Sequence, residues 1–215
     1  MEKDKVSPQL MLQLESGSPE LKIHGWFPTL LGLSMYKDHQ TEAPAIIKHL
    51  DKVKAKCPSS KGAPSFFLHS CHEDPKLKNL NQWIQARVND YTKFYGFPKK
   101  YKPVESWFHW YKKSNDNPVH VHLGRTISII YYLQSHPNDS RVILYSPTPV
   151  DMKNPFNVTA NDPKGIVKND LTCTECFYKP LEGMLLIFRS NIRHRIELKN
   201  NNFKDRIVVS WDLDV

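Results

Sequence analysis

Two histidines one residue apart, His120 and His122, a third at His194 and an arginine at Arg206 are the residues of this chain whose types and spacing could do chemistry. In an extended segment side chains alternate between faces, so the imidazoles of His120-Val121-His122 point the same way and can grip one ion. Imidazole nitrogen suits iron, zinc, copper and nickel. Three ligands on one face leave positions open for substrate, oxygen or water, whereas a closed structural site wants four. The alternative is an exposed strand face carrying an H-x-H pair and no metal, which ten histidines in 215 residues allow.

Strands are the elements that must position these groups. Val119-His120-Val121-His122 leads through Gly124, a bend or bulge signal, into Thr126–Leu133, rich in β-branched and aromatic residues. Gly183–Phe188 and Arg206–Trp211 are short apolar runs of strand length, with His194 between them. His194–Leu198 reads as a strand, 199–205 as a polar turn and Arg206 onward as the returning strand, so a hairpin is expected, with His194 and Arg206 facing one cavity from neighbouring strands. On the second strand Arg206, Val208 and Ser210 share one face, and Ile207, Val209, Trp211 and Leu213 the other.

An arginine inside a mostly apolar cavity needs an anionic partner, and its planar fork grips a carboxylate through two hydrogen bonds. A metal with open positions and an arginine deeper in the cavity together describe a site for a small dicarboxylate that chelates the metal at one end. The competing reading is a surface arginine paired with Asp205 or Glu197.

At this point a family resemblance enters. The stretch Asn117–Gly124 through Ile127–Tyr132, with Pro180–Gly183, Leu186–Ser190, His194 and Asp205-Arg206-Ile207, resembles the 2-oxoglutarate and Fe(II)-dependent oxygenases, and more narrowly the oxygenase family found in tailed phages and marine bacteria. Trp26-Phe27-Pro28-Thr29 and Ser106-Trp107 are similar to that family's opening and to its strand before the histidine pair, so the resemblance covers roughly residues 22 to 213. It implies a mainly β fold with helical cover (α+β), a double-stranded β-helix or cupin-like jelly roll. It also implies that His120, His122 and His194 hold Fe(II), that Arg206 binds the distal carboxylate of 2-oxoglutarate, and that dioxygen is consumed with release of succinate and carbon dioxide as an unactivated C–H bond is hydroxylated. The superfamily usually carries Asp or Glu where His122 stands, and often a serine two residues after the arginine, where this chain has Val208 and then Ser210. His109, on an aromatic strand, and Asp116 are the nearest substitute ligands; packing or substrate contact is the expected role of His109.

If no bulge intervenes, Ser128, Ile130 and Tyr132 share the face that lines the cosubstrate pocket, and Tyr131 packs in a core. The cosubstrate set expected is therefore Arg206, Ser128, Tyr132 and Ser210. No catalytic side chain beyond the metal ligands is expected.

Residues 1–215 suit one domain, with helical support and first strands over about 1–100 and the metal-binding jelly-roll core over about 101–215. Residues 44–53 read as an amphipathic helix. Leu77, Leu80, Ile84, Val88 and Tyr91 recur at helical spacing after Asp74-Pro75, a helix-start signal. Both helices should pack on the sheet face that carries Ile207, Val209 and Trp211. Residues 146–172 read as a long loop that closes over substrate.

No run of about 18 apolar residues and no signal-peptide pattern occur, so a soluble cytoplasmic protein is expected, in the host cytoplasm if phage-encoded, with no membrane partner. Cys173-x-x-Cys176 has zinc-knuckle spacing but Cys57 and Cys71 do not complete a four-cysteine pattern, so free thiols are expected. The net charge of +8 permits nucleic-acid binding without any accompanying motif; a solvated lysine face explains it as well.

The substrate class stays open among protein, nucleic acid and small molecule. A non-catalytic cupin-like metal-binding protein, such as a virion or host-interaction component, is the second reading. A zinc hydrolase is the third, weakened because no carboxylate is placed as a general base beside the histidines.

Overall fold

The computed structural model describes residues 29–57, 65–96, 100–111, 117–147, 174–197 and 204–215. In chain order the elements are β1 (Gly32–Met35), α1 (His39–Lys56), β2 (Phe66–Leu68), a 3-10 turn (Pro75–Leu77), α2 (Lys78–Phe94), β3 (Lys102–Tyr111), β4 (Asn117–His120), β5 (Ile127–Gln134), β6 (Val142–Tyr145), β7 (Glu175–Phe177), β8 (Met184–Arg189), β9 (His194–Ile196) and β10 (Arg206–Asp214). The strands form a six-stranded sheet in the order β1-β8-β5-β10-β3-β2 and a four-stranded sheet in the order β4-β9-β6-β7. Every pairing is antiparallel. This is the double-stranded β-helix that the family resemblance implies, with two helices laid on one sheet.

Alternation along the central strands explains the layers. On β10, Ile207, Val209, Trp211 and Leu213 join Ile129, Tyr131, Leu185 and Ile187 in a core shared with Ile46 and Leu50 of α1 and Leu80, Ile84 and Val88 of α2. The other face contributes Val208, Ile130, Tyr132, Leu186 and Phe188 to a second core, which includes Val142, Leu144 and Ile196 of the smaller sheet. Strands buried on both faces read as nearly continuous apolar runs, which is what β5, β8 and β10 show.

Helix α1 is longer than the predicted 44–53 and takes Pro44 inside it as its sixth residue, where the ring removes one i→i−4 hydrogen bond. The start of the second helical segment follows its signal: the Asp74 side chain accepts from the Lys76 N–H, Pro75 opens the 3-10 turn, and α2 follows.

The predicted hairpin does not form. β9 pairs with β4 and β6 in the small sheet, whereas β10 pairs with β3 and β5 in the large one. The chain therefore crosses between sheets after β9, and His194 and Arg206 stand on different sheets of the barrel instead of side by side in a hairpin. A polar turn between two strands is equally compatible with pairing and with a change of sheet, because either satisfies the same alternation. Residues 148–172 of the predicted covering loop, the Trp26-Phe27-Pro28 opening, Asp116 and Cys173 lie outside the described residues. Cys57 and Cys71 are free thiols in the structure. Among the described residues no helix is long and apolar enough to cross a membrane.

Candidate active site

The three histidines meet at one end of the barrel. His120 and His194 are register partners across β4 and β9, with ring centroids 4.3 Å apart. His122 lies just beyond β4, where its N–H donates to the Ser190 carbonyl at 3.0 Å. Its ring centroid is 5.3 Å from that of His120 and 5.1 Å from that of His194. Gly124, at φ +73°, turns the chain directly afterwards toward β5, a conformation that costs glycine little. One ligand atom from each ring falls within 4.8 Å of the others, a spacing that fits a single ion.

The three rings are aimed by what holds their other nitrogens. His120 Nδ1 donates to the Pro118 carbonyl at 2.7 Å and His194 Nδ1 to the Ile192 carbonyl at 2.9 Å. His122 Nδ1 contacts both oxygens of Asp212 at 2.7 and 2.8 Å. A carbonyl or carboxylate acceptor at Nδ1 puts the proton there and leaves the Nε2 lone pair for a metal. Burial pulls the His194 pKa down to about 3, helped by the neighbouring His120 and His122 and opposed by the Ile192 carbonyl, and burial also lowers that of His120. Both rings are therefore neutral near pH 7, as ligation requires.

A pH dependence follows. The unfolded chain protonates His194 as pH falls below about 6.5, while the folded, metal-free protein keeps it neutral, so stability present above that pH is lost below it. At pH 5 the loss is about 2 kcal/mol for this one group. Urea unfolding of metal-free protein should show the midpoint dropping from pH 7 to pH 5, with the drop reduced in His194→Gln.

Behind His122 stands a buried network. Asp212, 3% exposed, accepts from the Ser128 hydroxyl at 2.7 Å, and Ser128 also bonds the Ser190 hydroxyl at 2.8 Å. The carboxylate missing from the ligand face thus sits one hydrogen bond behind it. Ser128, expected in the cosubstrate pocket, is engaged in this support. Partners of this kind raise ligand basicity and orient the ring, and their loss typically costs about 10–100-fold in metal affinity. Asp212→Asn should lower the affinity of this face for a divalent metal ion by about that factor in equilibrium dialysis, with the circular dichroism unchanged.

Arg206 lies further in, 2% exposed, on the inward face of β10. Its Nε and Nη2 are buried with no hydrogen-bond partner among the described residues. The guanidinium carbon is 4.9 Å from the Tyr111 ring centroid and 5.5 Å from that of Tyr132. The acidic residues proposed for a surface pair are occupied elsewhere: Asp205 accepts from Trp110 Nε1 at 2.7 Å, and Glu197 grips Arg141 at 2.8 and 2.5 Å. Two buried polar atoms near it, the Tyr132 hydroxyl and His109 Nδ1, also lack partners among the described residues. His109 Nε2 accepts from Trp107 Nε1 at 3.1 Å, which puts the ring proton on Nδ1. Burial, then the charge of Arg206, push the His109 pKa down to about 3. Unsatisfied buried donors around a buried cation fit an anion with several acceptor oxygens.

Of the predicted cosubstrate set, Tyr132 faces this cavity, and Ser210 sits on the same strand face between Arg206 and Asp212, beside Trp107 and Ile130. Tyr131 is in the helix-side core, with its hydroxyl 2.7 Å from His39 Nδ1. Reading did not anticipate Asp212, Ser190 or Tyr111. For Asp212 the signal was available, because the alternation Arg206, Val208, Ser210 continues to it.

A family model described as "Putative 2OG-Fe(II) oxygenase" matches residues 105–212, about half of the chain, spanning all three histidines and Arg206. The chain belongs to the 2OG-Fe(II) oxygenases. This family uses Fe(II) and 2-oxoglutarate, so the protein is an oxidoreductase that takes dioxygen and a further substrate. No curated protein matches. Among solved structures, a prolyl-4-hydroxylase from Pseudomonas putida is 10% identical at a TM-score of 0.55, covering 86% of this chain and 92% of its own. HygX from Streptomyces hygroscopicus, solved with nickel and 2-oxoglutarate bound, is 12% identical at 0.55, over 86% of this chain and 82% of its own. The epimerase SnoN of nogalamycin biosynthesis is 9% identical at 0.60, over 86% and 76%. At these identities the likeness is one of fold.

Proposed function

We propose that this 2OG-Fe(II) oxygenase is a hydroxylase in which His120, His122 and His194 hold Fe(II) and Arg206 anchors 2-oxoglutarate. The observation that carries the reading is the buried Arg206, whose Nε and Nη2 have no partner among the described residues, on the barrel interior below three histidines whose Nδ1 atoms are each held by an oxygen acceptor and whose ligand atoms lie within 4.8 Å of one another. Bound Fe(II) with 2-oxoglutarate and dioxygen supplies the oxidising power to insert one oxygen atom into a C–H bond, with succinate and carbon dioxide as the other products.

The chain's own residues do the positioning. Arg206 receives the distal carboxylate through Nε and Nη2, and the Tyr132 hydroxyl donates to the same group. His109, held with its proton on Nδ1 and without a partner for it among the described residues, would donate to bound 2-oxoglutarate. Trp107, whose ring centroid is 5.5 Å from that of His122, and Phe188, 5.0 Å from His194, wall the metal end with apolar surface that keeps water out. Asp212 places negative charge behind His122 where other members of the superfamily put a carboxylate on the metal itself.

The test is turnover. Protein loaded with Fe(II) and given 2-oxoglutarate should form succinate only when dioxygen is admitted, and a substrate found among peptides, nucleic acids or metabolites should gain one oxygen atom by mass. Full iron loading with no dioxygen-dependent succinate would favour a non-catalytic metal-binding protein.

A further inference from the structure

A second group of metal-ligand atoms lies on the other side of the large sheet. His49 Nε2 of α1 is 2.6 Å from Asp74 Oδ2, and His69 Nε2 is 2.7 Å from the same oxygen. The three ligand atoms fall within 4.8 Å of one another, as they do in the iron triad. They come from three places in the chain: the third turn of α1, the residue after β2, and the cap of the 3-10 turn that opens α2.

We infer that His49, His69 and Asp74 form a second divalent-metal site, of the zinc class, that staples α1 to the segment between β2 and α2. The donor set of two imidazoles and one carboxylate is a borderline N2O set that suits Zn(II). The carboxylate is already oriented for it: Asp74 is 7% exposed and its Oδ1 accepts from the Lys76 N–H at 2.8 Å, which turns Oδ2 toward the two rings. Among the described residues this carboxylate is ion-paired to these histidines alone, with no lysine or arginine. Metal–ligand distances of about 2.0–2.2 Å require the three atoms to separate only slightly from their present positions. The histidine side chains keep 28% and 24% of their surface exposed, so a fourth position opens to water and an ion can enter.

The site is independent of the proposed iron centre. The His69 ring stands edge-on to Phe108, and Phe108 belongs to the helix-side core. Trp107 and His109, on either side of it in β3, point the opposite way, toward the catalytic cavity. One sheet therefore separates the two groups, and the second ion would act on the scaffold, holding the helical layer.

The experiment is a competition titration of the full-length protein with Zn(II) against a chromophoric chelator. His49→Gln and His69→Gln should each bind one equivalent fewer than the unaltered protein, and His194→Ala should also lose one. His49→Gln combined with His194→Ala should lose both. Zn(II) should raise the Tm of His194→Ala protein but not that of the combined variant. His49→Gln should keep its circular dichroism and its Fe(II)-dependent 2-oxoglutarate binding, which separates loss of a ligand from loss of the fold. If His49→Gln and His69→Gln bind as much Zn(II) as the unaltered protein, the cluster is a hydrogen-bonded clamp and the inference is overturned. The His194→Ala arm reads the iron centre separately, so failure of either assignment is distinguishable.

Discussion

His194→Ala should lose stoichiometric Fe(II) binding, with a fall in affinity well beyond the effect of removing a supporting residue. His194 is 3% exposed and pairs directly with His120 across β9 and β4, so its ring occupies the inner corner of the three-histidine face. Its removal leaves two ligands on a loop-proximal edge and opens a cavity beside Phe188. The cavity should cost about 1–3 kcal/mol of stability, which the rest of the core can absorb. His120→Ala removes a more exposed ring and should lose iron with less effect on folding. Iron content after anaerobic equilibration, with circular dichroism as a control, checks both. A His122→Ala protein that kept full-affinity iron would place the second ligand elsewhere.

Replacing Arg206 should have opposite effects on binding and on folding. The guanidinium is buried, two of its nitrogens have no partner among the described residues, and without the cosubstrate its charge meets the rings of Tyr111 and Tyr132 but no carboxylate among those residues. Exchanging even a buried ion pair for apolar residues of similar volume often stabilises a protein by about 1–4 kcal/mol, and an arginine that lacks a carboxylate partner has less attraction to lose. Arg206→Met should therefore raise the denaturant midpoint of the cosubstrate-free protein. It should also abolish measurable 2-oxoglutarate binding. Arg206→Lys keeps the charge but loses the fork, and should weaken 2-oxoglutarate by about 1–3 kcal/mol with little change in Fe(II) affinity. Calorimetric titration at fixed Fe(II) measures this. Unchanged 2-oxoglutarate binding in Arg206→Lys and Arg206→Met would remove Arg206 as the anchor.

Much of this architecture was legible because alternation is a local property. The assignment of Ile207, Val209 and Trp211 to the helix side and of Val208 to the barrel interior needed only period two and the presence of two amphipathic helices. Asp74-Pro75 marked the start of α2 by capping chemistry alone. Sheet membership was not legible: β9 and β10 are joined by a segment that serves a hairpin or a crossing equally well, and only the packing of the whole barrel decides between them. The network of Ser128, Ser190 and Asp212 depended on that decision, because it joins three strands that are brought together by the barrel and not by proximity in the chain. Tyr131 and Tyr132 show the opposite case, where adjacent identical residues took opposite faces as the alternation required.

The central claim is that one cavity holds Fe(II) on three histidines and 2-oxoglutarate between that metal and Arg206. The measurement that tests it most directly is the visible absorption of the protein when Fe(II) and 2-oxoglutarate are added together without oxygen. The account predicts a metal-to-ligand charge-transfer band that needs both components, disappears in His194→Ala, and requires much more 2-oxoglutarate in Arg206→Lys. A protein fully loaded with iron and saturated with 2-oxoglutarate that shows no such band would contradict it.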